Sequence, residues 1–191
     1  MWTQTLLEHP YPWIQWGTVT GASLVAAIID LRTRRIPNLL TGPLFLAGLL
    51  QAIWWGGGPA LLDALAAAFL LGLPYFLLFV FAGGGAGDAK LMGAIGAWLG
   101  LIKGVVALGA VCLTGILFAL LFARIQGRLH PLIQRLSLMG RLFAVEVWLR
   151  RIPHPAETPA TDADERDKMP YGAAIGAGIL LASMSWFLWL Q

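Results

Sequence analysis

Two aspartates occupy positions where a carboxylate is expensive. Asp30 closes an apolar stretch that begins near Ile14, and Asp88 opens another that runs to about Ile102. A carboxylate at the centre of a bilayer costs about 2.5–3.5 kcal/mol on insertion scales, so an acid beside such a stretch is a functional candidate by default. Two carboxylates sharing a partly desolvated site have their proton affinities pushed apart. One then keeps a proton and serves as an acid, while the other ionises and serves as a base. Peptide-bond hydrolysis uses that division: one carboxylate activates water and the other protonates the carbonyl oxygen. Each aspartate also has a plainer reading. Asp30 and Arg34 have the i, i+4 spacing of a helical ion pair. Asp88 precedes a helix and could be its N-cap.

The surroundings of Asp88 favour the chemical reading. Gly83-Gly84-Gly85-Ala86-Gly87-Asp88 is a side-chain-poor loop leading into an apolar run. Glycine lets a backbone come close to a partner or substrate. The tetrapeptide Gly85-Ala86-Gly87-Asp88 reads GxGD. It is no phosphate-binding loop, because no Gly-Lys-Ser/Thr follows. It is no dinucleotide fingerprint either, because Asp88 stands where the third glycine would be.

The elements that must position these acids are membrane spans. The chain has 191 residues, of which 58% are hydrophobic and 12% charged, with a mean hydropathy of +0.74. Soluble domains carry about 25% charge, so the composition excludes a soluble or disordered chain. Spans of about 20 apolar residues fit near 14–30, 39–55, 60–82, 89–102, 104–123 and 171–190. The third contains Pro74, which predicts a kink near Leu70 to Pro74. The chain reads as an all-α polytopic membrane protein of about six helices, a single domain over 1–191. Its N-terminus lacks the basic region of a signal peptide. Trp2, Tyr11, Trp13, Trp54, Trp55, Trp186 and Trp189 suit an interfacial aromatic belt. Gly17/Gly21, Gly96/Gly100 and Gly172/Gly176 are small-xxx-small pairs, expected to draw spans one, four and six together.

Charge placement gives the orientation. Twelve of the thirteen Lys and Arg residues fall in alternate loops; the exception is Lys103. By the positive-inside rule those loops are cytoplasmic and both termini lie outside. The basic surplus is therefore no nucleic-acid patch. The cytoplasmic segment of about 124–168 holds an amphipathic stripe (Leu132, Ile133, Leu136, Met139, Phe143, Val147). That stripe suits a helix on the membrane surface or a cap on the bundle. A flexible linker follows. Sidedness also separates the acids. Asp30 and Asp88 share the cytoplasmic face, while Asp63 lies on the outer face, where it reads as a first-turn acid complementing a helix dipole. The lone Cys112 allows no internal disulfide. No Cys/His cluster suits a metal, so neither metal nor cofactor is expected.

Three segments resemble the type IV prepilin peptidases. Asp30-Leu31-Arg32-Thr33-Arg34-Arg35-Ile36-Pro37-Asn38 looks like the family's first motif. Gly85-Ala86-Gly87-Asp88-Ala89-Lys90-Leu91 resembles the second, GxGDxKL. Met169-Pro170-Tyr171-Gly172 resembles the Pro-Tyr-Gly entry to the last span. The resemblance implies a GxGD-type aspartic endopeptidase of the bacterial inner membrane. It would cut the basic leader from type IV prepilins or pseudopilins at the cytoplasmic face, with pilus or type II secretion machinery as partners. Asp30 and Asp88 would be the catalytic pair. Gly85, Gly87, Lys90, Arg34, Pro37, Asn38 and Tyr171 would bind substrate or support the site. Lys90 could orient Asp88, meet a leader carbonyl or snorkel as a surface lysine. Pro37 ends the first helix, and Asn38 can cap the second.

Two departures qualify the resemblance. Bifunctional members carry paired Cys-x-x-Cys motifs and also methylate the mature pilin. This sequence, with one cysteine, resembles the short peptidase-only form. Pro59-Ala60-Leu61 matches the Pro-Ala-Leu of presenilin-type GxGD enzymes, but it precedes the GxGD and reads as coincidence. Two rival functions remain: a proton-coupled transporter with Asp30 and Asp88 as relays, and a non-catalytic scaffold of a pilus or secretion machine. Both acids lie on one face and no inverted repeat is recognisable, which disfavours transport.

Overall fold

The computed structural model describes residues 12–33, 35–82, 85–125 and 171–189. They form four helices in chain order: α1 (Pro12–Thr33), α2 (Asn38–Ala82), α3 (Ala86–Ile125) and α4 (Tyr171–Trp189). The predicted cytoplasmic stripe and linker fall almost wholly outside the described residues, as do Trp2, Tyr11 and Arg34. The chain divides into two compact units, 1–115 with 170–191, and 116–169. Of the second unit, only the end of α3 is described.

α1 begins at Pro12, whose missing N–H costs nothing in a first helical turn. It ends before Pro37. At its last residue, the Thr33 hydroxyl is within reach of the Ile29 and Arg35 carbonyls, donating its one proton to either. α2 is 45 residues long, far more than the bilayer's hydrocarbon core requires. It is interrupted at Gly57 (φ 63°, ψ −149°), within Gly56-Gly57-Gly58-Pro59. A side chain there would be strained, so glycine is the residue that permits the break. Phe45 and Phe69 line one groove, although a straight helix would hold them about 36 Å apart. α2 is therefore a hairpin of two arms. The break falls within Gly56-Gly57-Gly58-Pro59, between the second and third predicted spans, and α2 keeps helical dihedrals through Pro74. α3 breaks likewise at Gly100 (φ 70°), slightly earlier than the boundary expected near Lys103.

Three of these helices are long and apolar enough to cross a membrane, and α4 adds a shorter apolar stretch, 172–188. Their outward faces are strongly hydrophobic, with Leu39, Trp54, Leu113 and Leu188 all more than two-thirds exposed. Side chains of this kind need lipid as their solvent. The protein is membrane-embedded, and its described elements are all helices. Its core collects Trp16, Val19, Leu71, Leu91, Ile95, Ile175 and Ile179 from all four helices.

Small residues set the helix approaches, though not in the expected grouping. A Cβ on Gly176 would stand 3.1 Å from the Ala27 Cβ, so this glycine brings α4 onto α1. A Cβ on Gly96 would lie 2.5 Å from the Ala67 carbonyl oxygen. That glycine packs α3 on the second arm of α2, not on α1. Gly17 and Gly21 face open space and draw nothing together. Gly100 is a backbone break, and its missing side chain leaves room for the Asp63 carboxylate.

At the end of the bundle away from Asp30 lies a buried polar cluster. The Lys103 ammonium donates to Gln15 Oε1 at 2.8 Å and lies 5.7 Å from the Trp186 ring centre. Gln15 donates to the Trp98 carbonyl at 2.8 Å. Trp186 packs on Trp16, ring centres 6.0 Å apart, so it is an internal residue and not part of a lipid-facing belt. Trp13, Trp54 and Trp55 do face outward. Asp63 sits at this end too. Its Oδ2 accepts the Leu101 N–H at 3.2 Å. Leu101 opens the second arm of α3, where backbone donors lack intrahelical partners. Asp63 thus caps a neighbouring helix, and its role is structural.

Candidate active site

Asp30 is in the last turn of α1 and Asp88 in the first turn of α3. Each is 8% exposed, although neither neighbours the other in sequence. They lie within electrostatic reach of each other. Four chain segments converge here: the end of α1, the 35–37 loop with the start of α2, the start of α3 and the start of α4.

Each segment is held by an identifiable contact. Asp30 Oδ2 accepts the Gly172 backbone N–H at 2.9 Å. Gly172 is the second residue of α4, so this N–H is one that the helix itself leaves free. A Cβ at Gly172 would stand 2.8 Å from both Asp30 Cβ and Oδ2, closer than non-bonded atoms approach. Glycine is thus needed for the amide to reach the carboxylate. Arg34, the ion-pair partner considered for Asp30, lies outside the described residues.

Asp88 is the third residue of α3. Its N–H closes a turn onto the Gly85 carbonyl at 3.2 Å, so it is inside the first turn and is not the N-cap. Its side chain folds back over Gly85, where a Cβ would come within 2.7 Å of Oδ2. A Cβ on Gly87 would meet the Ile36 Cβ at 2.9 Å. The two glycines of GxGD thus have separate tasks. Gly85 makes room for the aspartate itself, and Gly87 lets the Ile-Pro-Asn loop lie against α3.

That loop is pinned a second time. Lys90 Nζ donates to Asn38 Oδ1 at 2.8 Å. Lys90 thereby joins the first motif to the second. Asn38 does not cap α2 with its side chain as expected. The Pro37 carbonyl takes that part, accepting the Leu40 and Thr41 N–H groups at 3.0 and 3.4 Å. Tyr171 opens α4 beside Gly172, and its side chain lies outside the described residues. Among the described residues no three His, Cys, Asp or Glu side chains cluster as metal ligands would.

Comparison with known proteins decides the family. The model of the type IV leader peptidase family matches residues 18–120, more than half of the chain. The chain belongs to the type IV leader peptidase family. The matched stretch of this family member contains Asp30 and Asp88 but stops short of Gly172. Three similar proteins carry the name prepilin leader peptidase/N-methyltransferase. The one from Neisseria gonorrhoeae is 34% identical over 134 residues, covering 64% of this chain and 46% of the relative. That from Dickeya chrysanthemi is 35% identical over 56% of this chain and 40% of its own length. That from Klebsiella pneumoniae is 39% identical over 40% and 36% respectively. The chain thus spans less than half the length of these curated relatives. No solved structure matches it.

Proposed function

We propose that this protein is an aspartic endopeptidase that removes the basic leader peptide from type IV prepilins or pseudopilins. In this reading it crosses the bacterial inner membrane six times and cuts at the cytoplasmic face. Both termini lie outside the cytoplasm, and the segment of about 124–168 lies inside. The observation that supports the proposal is that Asp30 and Asp88 are both buried, each 8% exposed, where the ends of α1, α3 and α4 converge at one end of the bundle. The family supplies the substrate class.

The chemistry needs no cofactor. The ionised carboxylate takes a proton from water, which attacks the scissile carbonyl carbon. The protonated carboxyl donates to the carbonyl oxygen as it becomes tetrahedral. Collapse breaks the C–N bond. The proton taken from water passes to the leaving amine, and the hydroxyl proton returns to the other carboxylate, restoring the pair. Gly172 fixes Asp30 and Gly85 accommodates Asp88. Lys90 and Asn38 hold the two motifs together. Arg34 and Tyr171 belong to the same motifs as supporting residues. Pilus or type II secretion components are the partners that would receive the mature product.

Membranes containing this protein are expected to convert a co-expressed prepilin to its shorter mature form. Failure with every type IV prepilin and pseudopilin of its own host would overturn the reading. The orientation has its own test. Alkaline phosphatase fused after Lys168 should be inactive, and fused after Gln191 active. The reverse pattern would place the aspartates on the other side.

A further inference from the structure

Tyr75, on the second arm of α2, takes no part in the chemistry described so far. Ala64, Ala67 and Leu71 form the buried row of that arm, at the spacing of one helix face. Tyr75, one turn beyond Leu71, ends the row, half-buried and packed against the core. The register of this arm on α3 shows what it faces. A Cβ on Gly96 would meet the Ala67 carbonyl oxygen, one on Gly93 the Ala68 oxygen at 3.5 Å, and one on Gly72 the Ala89 oxygen at 3.3 Å. Each step towards the end of α2 therefore matches a step back towards the start of α3. One turn further, the register brings Tyr75 level with residues 86–88. Ala86 lines a slot on the far side of the arm with Phe76, and Gly87 lies against Ile36. Asp88 is left: it stands one turn before Leu91 and Met92, both fully buried, on the core side of α3. Tyr75 and Asp88 thus end two facing rows, within electrostatic range of each other. Among the described residues no hydrogen bond takes up the Tyr75 hydroxyl, although a phenol packed into a core usually has a partner.

We propose that Tyr75 is a further catalytic residue of this site, whose O–H donates to the scissile carbonyl oxygen while the substrate lies at Asp88. The inference rests on the peptidase reading and adds a donor to it. The carbonyl oxygen has two lone pairs, so it accepts from Tyr75 as well as from the protonated carboxyl. Tyr75 keeps its proton throughout, and the atoms balance as they do without it. Negative charge grows on that oxygen as the carbon becomes tetrahedral. A donor already aimed there favours the transition state over the bound peptide.

The test is Tyr75→Phe in the purified full-length protein, with prepilin cleavage and thermal unfolding measured side by side. The change deletes one oxygen and leaves the ring in the core. It should lower kcat about 10²-fold, the lower end of what one such donor contributes, with KM and melting temperature nearly unchanged. Tyr75→Leu removes the ring as well and should lower both kcat and the melting temperature. A residue that only packs gives another pattern: Tyr75→Phe then cleaves like wild type, and Tyr75→Leu is merely less stable. Wild-type kcat in Tyr75→Phe, or a loss that comes with a fall in its melting temperature, overturns the proposal. The two readings fail separately. If wild type cleaves prepilin and Tyr75→Phe matches it within about twofold, only the role of Tyr75 falls. If wild type cleaves no prepilin, the peptidase reading falls and takes this one with it.

Discussion

Asp30→Asn and Asp88→Asn are each expected to lower prepilin processing by about 10²–10⁴-fold, the range that one general acid or base contributes. Asparagine is the informative replacement because it keeps size and shape while losing the proton. At position 30 its side-chain oxygen can still accept the Gly172 N–H that Asp30 Oδ2 accepts at 2.9 Å. The α1–α4 junction therefore survives, and lost activity cannot be blamed on lost packing. At position 88 the backbone turn to Gly85 involves no side chain and is also retained. The control is Asp63→Asn. Its amide oxygen can still cap the Leu101 N–H, and Asp63 sits with the Lys103 cluster at the other end of the bundle. Processing by that variant should stay within about twofold of wild type, since a neutral hydrogen bond replaces one of similar geometry. Quantitative immunoblotting of precursor and mature prepilin, normalised to enzyme in the membrane, measures all three. Near-normal processing by either of the first two would sink the dyad.

Asp30 and Asp88 were legible in the sequence for a physical reason. Acids are so scarce in the apolar stretches that each needed an explanation, and alternation of basic loops put only these two on one side. The break in α2 was legible as well, because Gly56-Gly57-Gly58-Pro59 collects helix-breaking residues at one point. A break in α3 was expected near Lys103, but its exact place was not legible: Gly100 stands alone between Leu99 and Leu101, and a lone glycine in an apolar run looks like any packing glycine. Lys103 was visible as an exception to the charge pattern, but its partners were not. Gln15 and Trp186 lie far from it in sequence, and only folding brings them to the ammonium. Trp186 looked interfacial because tryptophan near a span end usually is. The Lys90–Asn38 contact escaped for a similar reason: each residue had an adequate local account, and the hydrogen bond spans 52 residues. Gly172 shows the general limit. What it gives the site is a backbone N–H, which every residue but proline has, together with the absence of a side chain. No residue type announces that contribution; only the approach of α4 to α1 does.

Gly172→Ala is the second large effect expected. The added Cβ would stand 2.8 Å from Asp30 Oδ2 and 2.8 Å from Asp30 Cβ. Asp30 Cβ is fixed by the backbone and cannot rotate away, so something must shift. If Asp30 shifts, it leaves its place opposite Asp88. If α4 shifts, the 2.9 Å hydrogen bond from Gly172 lengthens, and the carboxylate loses the donor that fixes its rotamer. Either way the carboxylate moves by about an ångström, a misplacement that can cost about 10²-fold in rate. The fall should appear in kcat with KM little changed, because Asp30 acts on the reacting atoms and not on the leader. Bulk helix packing predicts another pattern. Gly176, one turn further along α4, meets Ala27 and the Ser23 carbonyl but no aspartate. Gly176→Ala should register its cost in the melting temperature while leaving kcat nearly intact. Gly21→Ala, facing open space, should change neither. If Gly172→Ala and Gly176→Ala lose kcat equally, Gly172 serves only packing. If Gly172→Ala alone loses it, the start of α4 is a working part of the site, and the last helix must be docked for Asp30 to be in place.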